Sequence, residues 1–312
     1  MYHVSGVRRP RGGSGMLTQA LARMIEAHGG TIFLNTPVSR ILVERGRAAG
    51  VETASGEQLT AKVVVSGTHI AATMRMLDGE AVSPTDRELI ARARIGNGFG
   101  MVVRYALREL PNYAVLPSSP DGSPGPQHRA LQFICPDLDY LDRAYADYLA
   151  GRPSQEPALI AMTFSAVDPT LAPPGQHTLF LWGQYYPYRL ASGDSWDDIG
   201  QREADRMLAE LAEYAPNVQG AVIGQLVETP LFLERTFGLL QGNVMHLEMS
   251  VDQMFMLRPA MTMGVYRGPL RGLYLTGAST HPGGGIMGAA GRNAARVILR
   301  DLRRQRWPFW RR

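Results

Sequence analysis

The order of apolar and polar positions divides the chain into short elements of mixed type. Leu17, Leu21, Met24 and Ile25 recur at helical spacing after Ser14, a residue suited to an N-cap. Gly29-Gly30 stops that repeat as a left-handed C-cap would. Residues 31–35 read as a strand. Short alternating runs follow at 40–44, 49–53 and 58–61, with turns at Arg45-Gly46-Arg47 and Ser55-Gly56, which predicts a small antiparallel meander. The near-continuous apolar run 62–66 has the pattern of a buried parallel strand.

Ser83-Pro84-Thr85-Asp86 combines cap spacing with proline at the first helical position. It predicts a helix carrying Leu89, Ile90 and Ala93. After Gly96-Asn97-Gly98 the texture changes to strand-like runs at 101–107, 131–135, 159–164, 178–185 and 222–229. The segment 117–127, rich in Pro, Ser and Gly, is a loop. Ser195 caps a helix with Met207, Leu208 and Leu211 inward, stopped near Pro216. The picture is a mixed sheet with covering helices, inserted between two flanking segments.

The stretch 273–293 is the most unusual. It reads as a buried strand at Leu273-Tyr274-Leu275, a turn of small residues, the run Gly283-Gly284-Gly285, and a helix opening on Gly288, Gly291, Ala294 and Ala295. Glycine weakens a helix by about 1 kcal/mol relative to alanine, so such a run implies a close approach to the main chain. A helix start offers free N–H groups and a positive dipole end, which suit an anionic or electron-rich group. Tight packing of two elements accounts for the glycines equally well. No Gly-Lys-Ser/Thr follows, so the run is not a P-loop, and it does not read as the dinucleotide fingerprint of GxGxxG followed by an acidic residue.

Composition narrows the function classes. With 312 residues and 45% hydrophobic content the chain can bury a large core in one or two domains. The formal net charge is +4, nearly all of it arginine, with Lys62 the single lysine. No basic run is interleaved with aromatics in the body of the chain, which argues against nucleic-acid binding. Cys135 is alone, and the histidines lack metal-ligand spacing, so neither a disulfide framework nor a metal site is expected. No apolar run approaches the roughly 20 residues that span a bilayer. These features suit a cytoplasmic protein. Arginines and tryptophans in the tail 303–312 raise the expectation of peripheral contact with an anionic membrane, although a solvated end is the plainer reading.

Two segments carry a family resemblance. Gly272 to Gly285 (GLYLTGASTHPGGG) resembles the C-terminal flavin signature of phytoene desaturase-like FAD-dependent oxidoreductases, within the amine-oxidase superfamily. Pro10-Arg11-Gly12-Gly13-Ser14-Gly15 is similar to that family's Pro-Arg-Gly-Gly-x-Gly segment. The resemblance covers nearly the whole chain but lacks the N-terminal βαβ unit that holds the ADP part of FAD. It implies an α/β (α+β) fold: an incomplete FAD-binding Rossmann-like domain, 1–69 and 268–312, with an inserted mixed-sheet substrate domain, 70–267. It also implies FAD contacts from Gly12, Gly13, Val38, Ser66, Gly277, Ala278, Ser279, Gly283, Gly284, Gly285, Met287, Gly288 and Asn293. His281 is the candidate for a catalytic role beside the flavin, with a packing role in the turn as its alternative. The expected reaction dehydrogenates an apolar, isoprenoid-like substrate, with a second polypeptide supplying the GxGxxG unit. A non-catalytic scaffold and a truncated fragment stay open as alternatives.

Overall fold

The computed structural model describes residues 8–306, and the expectation of a membrane-facing tail falls on residues largely outside that range. In chain order, α1 (Gly15–Ala27) leads into the meander β1 (Val38–Glu44), β2 (Arg47–Thr53) and β3 (Gln58–Thr60). β4 (Val64–Ser66), α2 (Ile70–Arg75) and α3 (Pro84–Ala91) follow. β5 (Gly100–Leu107), β6 (Gln132–Ile134), α4 (Leu138–Leu149), β7 (Leu159–Met162), β8 (His177–Gln184), α5 (Trp196–Ala212), β9 (Val222–Glu228) and α6 (Pro230–Phe237) make the middle of the chain. β10 (Leu273–Leu275) and α7 (Ala289–Arg306) close it.

The chain folds as two compact units. One takes the described residues up to Phe33 together with Asn97–Thr236; the other takes Leu34–Gly96 and the chain from Phe237 onward. These boundaries differ from the division expected at 69 and 268. Residues 8–33 belong with the middle of the chain because the Gly12-Gly13 turn is fastened there: Gly12 donates its N–H to Asp168 Oδ2 at 2.6 Å. Residues 70–96 and 237–267 join the unit that carries β10, and one core unites Ile70, Ile90, Leu247, Met263 and Leu275.

In the first unit a five-stranded sheet runs in the order β6-β7-β8-β5-β9. Alternation along β5 and β8 sends Met101, Val103, Tyr105, Leu107, Leu179 and Leu181 to one face, against Ile199, Met207 and Leu211 of α5. Each such buried apolar side chain contributes about 2 kcal/mol. The opposite face carries Phe180 and Trp182 of β8, both half-buried.

In the second unit the meander forms as its alternation predicts, pairing β1 with β2 and β2 with β3, all antiparallel. The apolar run is β4, paired parallel with β10. Ser83 caps α3 by accepting the Asp86 N–H at 3.1 Å, and Ser195 of the first unit caps α5 in the same way.

Two local expectations fail for physical reasons. Residues 31–35 are not a strand, because no strand among the described residues pairs with them and Asn35 adopts a φ of 53°. Ser14 precedes α1 but lies in helical conformation, and its side chain caps nothing. The apolar face of α1 forms at the predicted spacing, yet no residue of α1 is buried and Met24 is 58% exposed.

Candidate functional site

Two short parallel strands position the site. β4 and β10 pair Val64 with Leu273, Val65 with Tyr274 and Ser66 with Leu275, and Thr276 N–H extends the pairing to Ser66 O at 2.9 Å. Both strands therefore run into turns at the same end of the pair. At Gly277, with φ +79°, a Cβ would stand 2.8 Å from Gly67 O. Only glycine lets these two turns touch. Ser66 Oγ is bonded to Thr73 Oγ1 at 2.7 Å and Thr68 Oγ1 at 3.0 Å.

The second turn is held by a buried polar network. Ser279 Oγ accepts the Ile70 N–H at 2.9 Å and is bonded to His246 Nδ1 at 2.9 Å. His69 Nδ1 accepts the Ala71 N–H at 3.1 Å, capping α2, so its proton sits on Nε2, which donates to His246 O at 2.9 Å. The two imidazole rings stack at 5.1 Å. Burial lowers both pKa values, that of His246 to about 4, with the neighbouring His69 and the Arg258 cation adding to the effect on His246.

Arg258 is fully buried at 0% exposure, and its guanidinium donates to main-chain carbonyls. It reaches Ala278 O at 2.9 and 3.1 Å, Met245 O at 2.6 Å, Glu248 O at 3.1 Å, and Leu247 O and Gln253 O at 3.3 Å. Burial pushes its pKa down to about 10. Five carbonyls around one planar cation knit residues 245–253 to the turn at Ala278.

Past Ser279 the chain reaches His281, whose carbonyl accepts from Tyr266 Oη at 2.8 Å; that oxygen in turn accepts from Asn293 Nδ2 at 2.8 Å. The His281 ring lies 5.3 Å from Phe255. Its Nδ1 is buried without a hydrogen-bond partner among the described residues. Arg267 and Tyr274 fasten α7 through Asp301, with contacts of 2.8, 2.8 and 3.1 Å.

The glycines of this stretch divide by what lies against them. A Cβ at Gly283 would meet Met249 Sδ at 2.9 Å, and one at Gly284 would meet Met245 Sδ at 2.5 Å. There, as at Gly277, the close neighbour is the protein itself. Gly285, at φ +121°, faces the Met287 methyl at 3.0 Å. Gly288, at φ +67°, has nothing within 4 Å, and Gly291 meets only Thr276 Oγ1 at 4.0 Å. Bare, open main chain is thus confined to the entry of α7, where Ile286, Met287 and Gly288 are exposed.

The structure brings Ser66, Gly277, Ala278, Ser279, His281, Gly283 to Gly285, Met287, Gly288 and Asn293 into the second unit around β4 and β10. Val38 begins β1, opposite Thr53 and 40% exposed, outside this network. Gly12 and Gly13 sit in the first unit, where a Cβ on Gly13 would meet Leu171 at 3.3 Å. A cavity of about 1000 Å³ in the second unit is lined by Arg45, Arg47, Lys62 and Arg271 and by none of the candidate residues. Sequence reasoning missed Arg258, His69 and His246. The available signal was an arginine in the apolar run Met254-Phe255-Met256-Leu257, followed by Pro259.

The sequence model of the family described as flavin containing amine oxidoreductase matches residues 1–299. Pyridine nucleotide-disulfide oxidoreductase domain-containing protein 2 of Rattus norvegicus is 37% identical over 301 residues, covering 94% of this chain and 51% of that protein. A lycopene-forming phytoene desaturase of a Paracoccus species is 28% identical over 300 residues, covering 95% of this chain and 56% of the relative. The chain thus spans about half the length of these curated relatives. Among solved structures, an oxidoreductase from Methanosarcina mazei shares the fold with a TM-score of 0.60 at 21% identity, covering 93% of this chain and 55% of that one.

Proposed function

The chain belongs to the flavin containing amine oxidoreductase family, and from that premise we propose that it is the substrate-side part of an FAD-dependent dehydrogenase acting on an apolar, isoprenoid-like substrate. In this reading the ADP-binding βαβ unit comes from polypeptide outside this sequence, a separate chain being the form we favour. The observation that carries it is the entry of α7, downstream of the β10 strand that pairs parallel with β4: Gly288 is exposed, and a Cβ there would meet nothing within 4 Å.

The residues present fit a flavin at that place. The free N–H groups and dipole of a helix start favour negative charge on a ring edge. His281, with a buried Nδ1 that lacks a partner among the described residues, offers one further hydrogen bond. A bound flavin supplies the two-electron acceptor, and the protein's part is orientation, tuning and exclusion of water. Arg258 and Ser279 hold the turn so that the α7 entry keeps its shape.

A non-catalytic scaffold is the second reading, favoured by Met245 and Met249 packed over Gly284 and Gly283. The visible spectrum separates the two. The chain co-expressed with a GxGxxG-bearing half should purify yellow, and Gly288→Asn, a residue that tolerates the φ of +67°, should lose the colour while the fold persists. Colourless protein in the presence of FAD and that half ends the redox reading.

A further inference from the structure

A second candidate site lies wholly within the first unit. A cavity of about 720 Å³ opens beside the Pro10-Arg11-Gly12-Gly13 turn, and Arg8, Arg9, Arg11 and Arg129 stand around it. Leu131, Met162, Phe164 and Val167 make its apolar wall. We propose that this cavity seats the anionic head of an amphipathic ligand whose hydrocarbon part lies on that wall. The proposal narrows the substrate class of the dehydrogenase reading, and rests on it, from an apolar molecule to an apolar molecule bearing a carboxylate or phosphate.

Charge balance is the first argument. Among the described residues none of the four arginines forms an ion pair. Asp168 is the carboxylate in the cavity wall, and its oxygens are already taken: Oδ2 by the Gly12 N–H at 2.6 Å, Oδ1 by the Thr170 N–H at 3.1 Å and hydroxyl at 2.6 Å. Those bonds, the Thr170 one foremost, hold its pKa below the usual carboxylate value, so it stays a local anchor for the turn. Buried His128 is committed to the Gly125 N–H at 3.0 Å and Pro111 O at 2.8 Å. Four guanidinium groups therefore share a rim with one engaged anion.

Placement of Arg9 is the second argument. Its guanidinium lies 3.5 Å from the centre of the Phe164 ring. Phe164 packs on Phe180 at 5.9 Å, and Arg104 sits 5.2 Å over Phe180. Stacking fixes the Arg9 cation while leaving its N–H donors unspent. Burial first, and Arg104 second, hold the Arg9 pKa below its ordinary value, a strain that an added anion relieves. Thr163, 2% exposed, also lines the cavity, and its hydroxyl lacks a partner among the described residues.

Isothermal titration calorimetry on the full chain with laurate, dodecyl phosphate and dodecanol tests this. An anionic probe should bind at least about tenfold tighter than dodecanol, the scale of one charge-assisted hydrogen bond. Preference between laurate and dodecyl phosphate identifies the head group. Arg9→Ala and Arg129→Ala should each lose roughly tenfold, Arg9→Lys less, and Arg296→Ala on exposed α7 nothing. Equal binding of dodecanol and both anions would overturn the proposal, as would unchanged affinity in the Arg9 and Arg129 variants or an equal loss in Arg296→Ala. The titration needs no flavin. Protein that binds laurate through these arginines but takes up no FAD sinks only the redox reading, and a yellow protein indifferent to both anions sinks only this one.

Discussion

Acidification should loosen the Ser279 turn, and its magnitude can be worked from His246. In the fold its pKa lies at about 4 against 6.5 for the free side chain, chiefly through burial. Between those values the unfolded chain binds a proton that the folded chain refuses, so stability falls as pH falls from 6.5 toward 4 and is flat below. The full gap is worth about 3 kcal/mol, and the step from pH 7 to pH 5 about 2. The ring is only partly buried, and solvent screening reduces that step to about 1 kcal/mol. His69, shifted in the same direction, adds to it, since protonating its Nδ1 would set an N–H against the Ala71 N–H that caps α2. Urea unfolding at pH 5, 6 and 7 should show the decline in the native protein. His246→Asn, which keeps a hydrogen-bonding group near Ser279, should show a shallower one. Equal slopes in the two proteins, or a native protein that gains stability on acidification, would refute the reasoning.

Three other outcomes follow from the same geometry. Arg258→Met strands the carbonyls of Leu247, Gln253 and Ala278, while Met245 O keeps the Leu247 N–H and Glu248 O the Gln253 amide; it should cost about 3 kcal/mol in chemical unfolding, and a loss under about 1 kcal/mol would show that water satisfies them. Gly277→Ala places a methyl 2.8 Å from Gly67 O at φ +79° and should cost about 2 kcal/mol, read as a lower melting temperature. Asp301 is held below the usual carboxylate pKa, first by Arg267, so its contribution is full at neutral pH and vanishes only as pH falls through that lowered value. Asp301→Asn should therefore cost about 1 kcal/mol at pH 7 and progressively less as the pH falls through the carboxylate range, measured by unfolding across that range.

Much of the fold was legible because its elements carry strong local signals. Alternation with glycine turns gave the meander, the apolar run gave β4, and Ser83 and Ser195 marked helix starts that form where their side chains accept the expected N–H. The glycine stretch was legible as a place of close approach, but what approaches was not. At Gly277, Gly283 and Gly284 it is Gly67, Met249 and Met245, residues far away in sequence. The polar network was hidden for the same reason: Arg258 binds carbonyls from 245 to 278, and carbonyls leave no trace in a sequence.

By itself, then, the sequence determined the local conformations and the family, since periodicity, caps and the segment 272–285 are properties of neighbouring residues. Tertiary structure alone decided which glycines face open space, which titratable groups are buried, and that Arg129 joins the sequence neighbours Arg8, Arg9 and Arg11. Those depend on packing between segments as far apart as Arg9 and Phe164, or His69 and His246, and burial and charge act through space rather than along the chain.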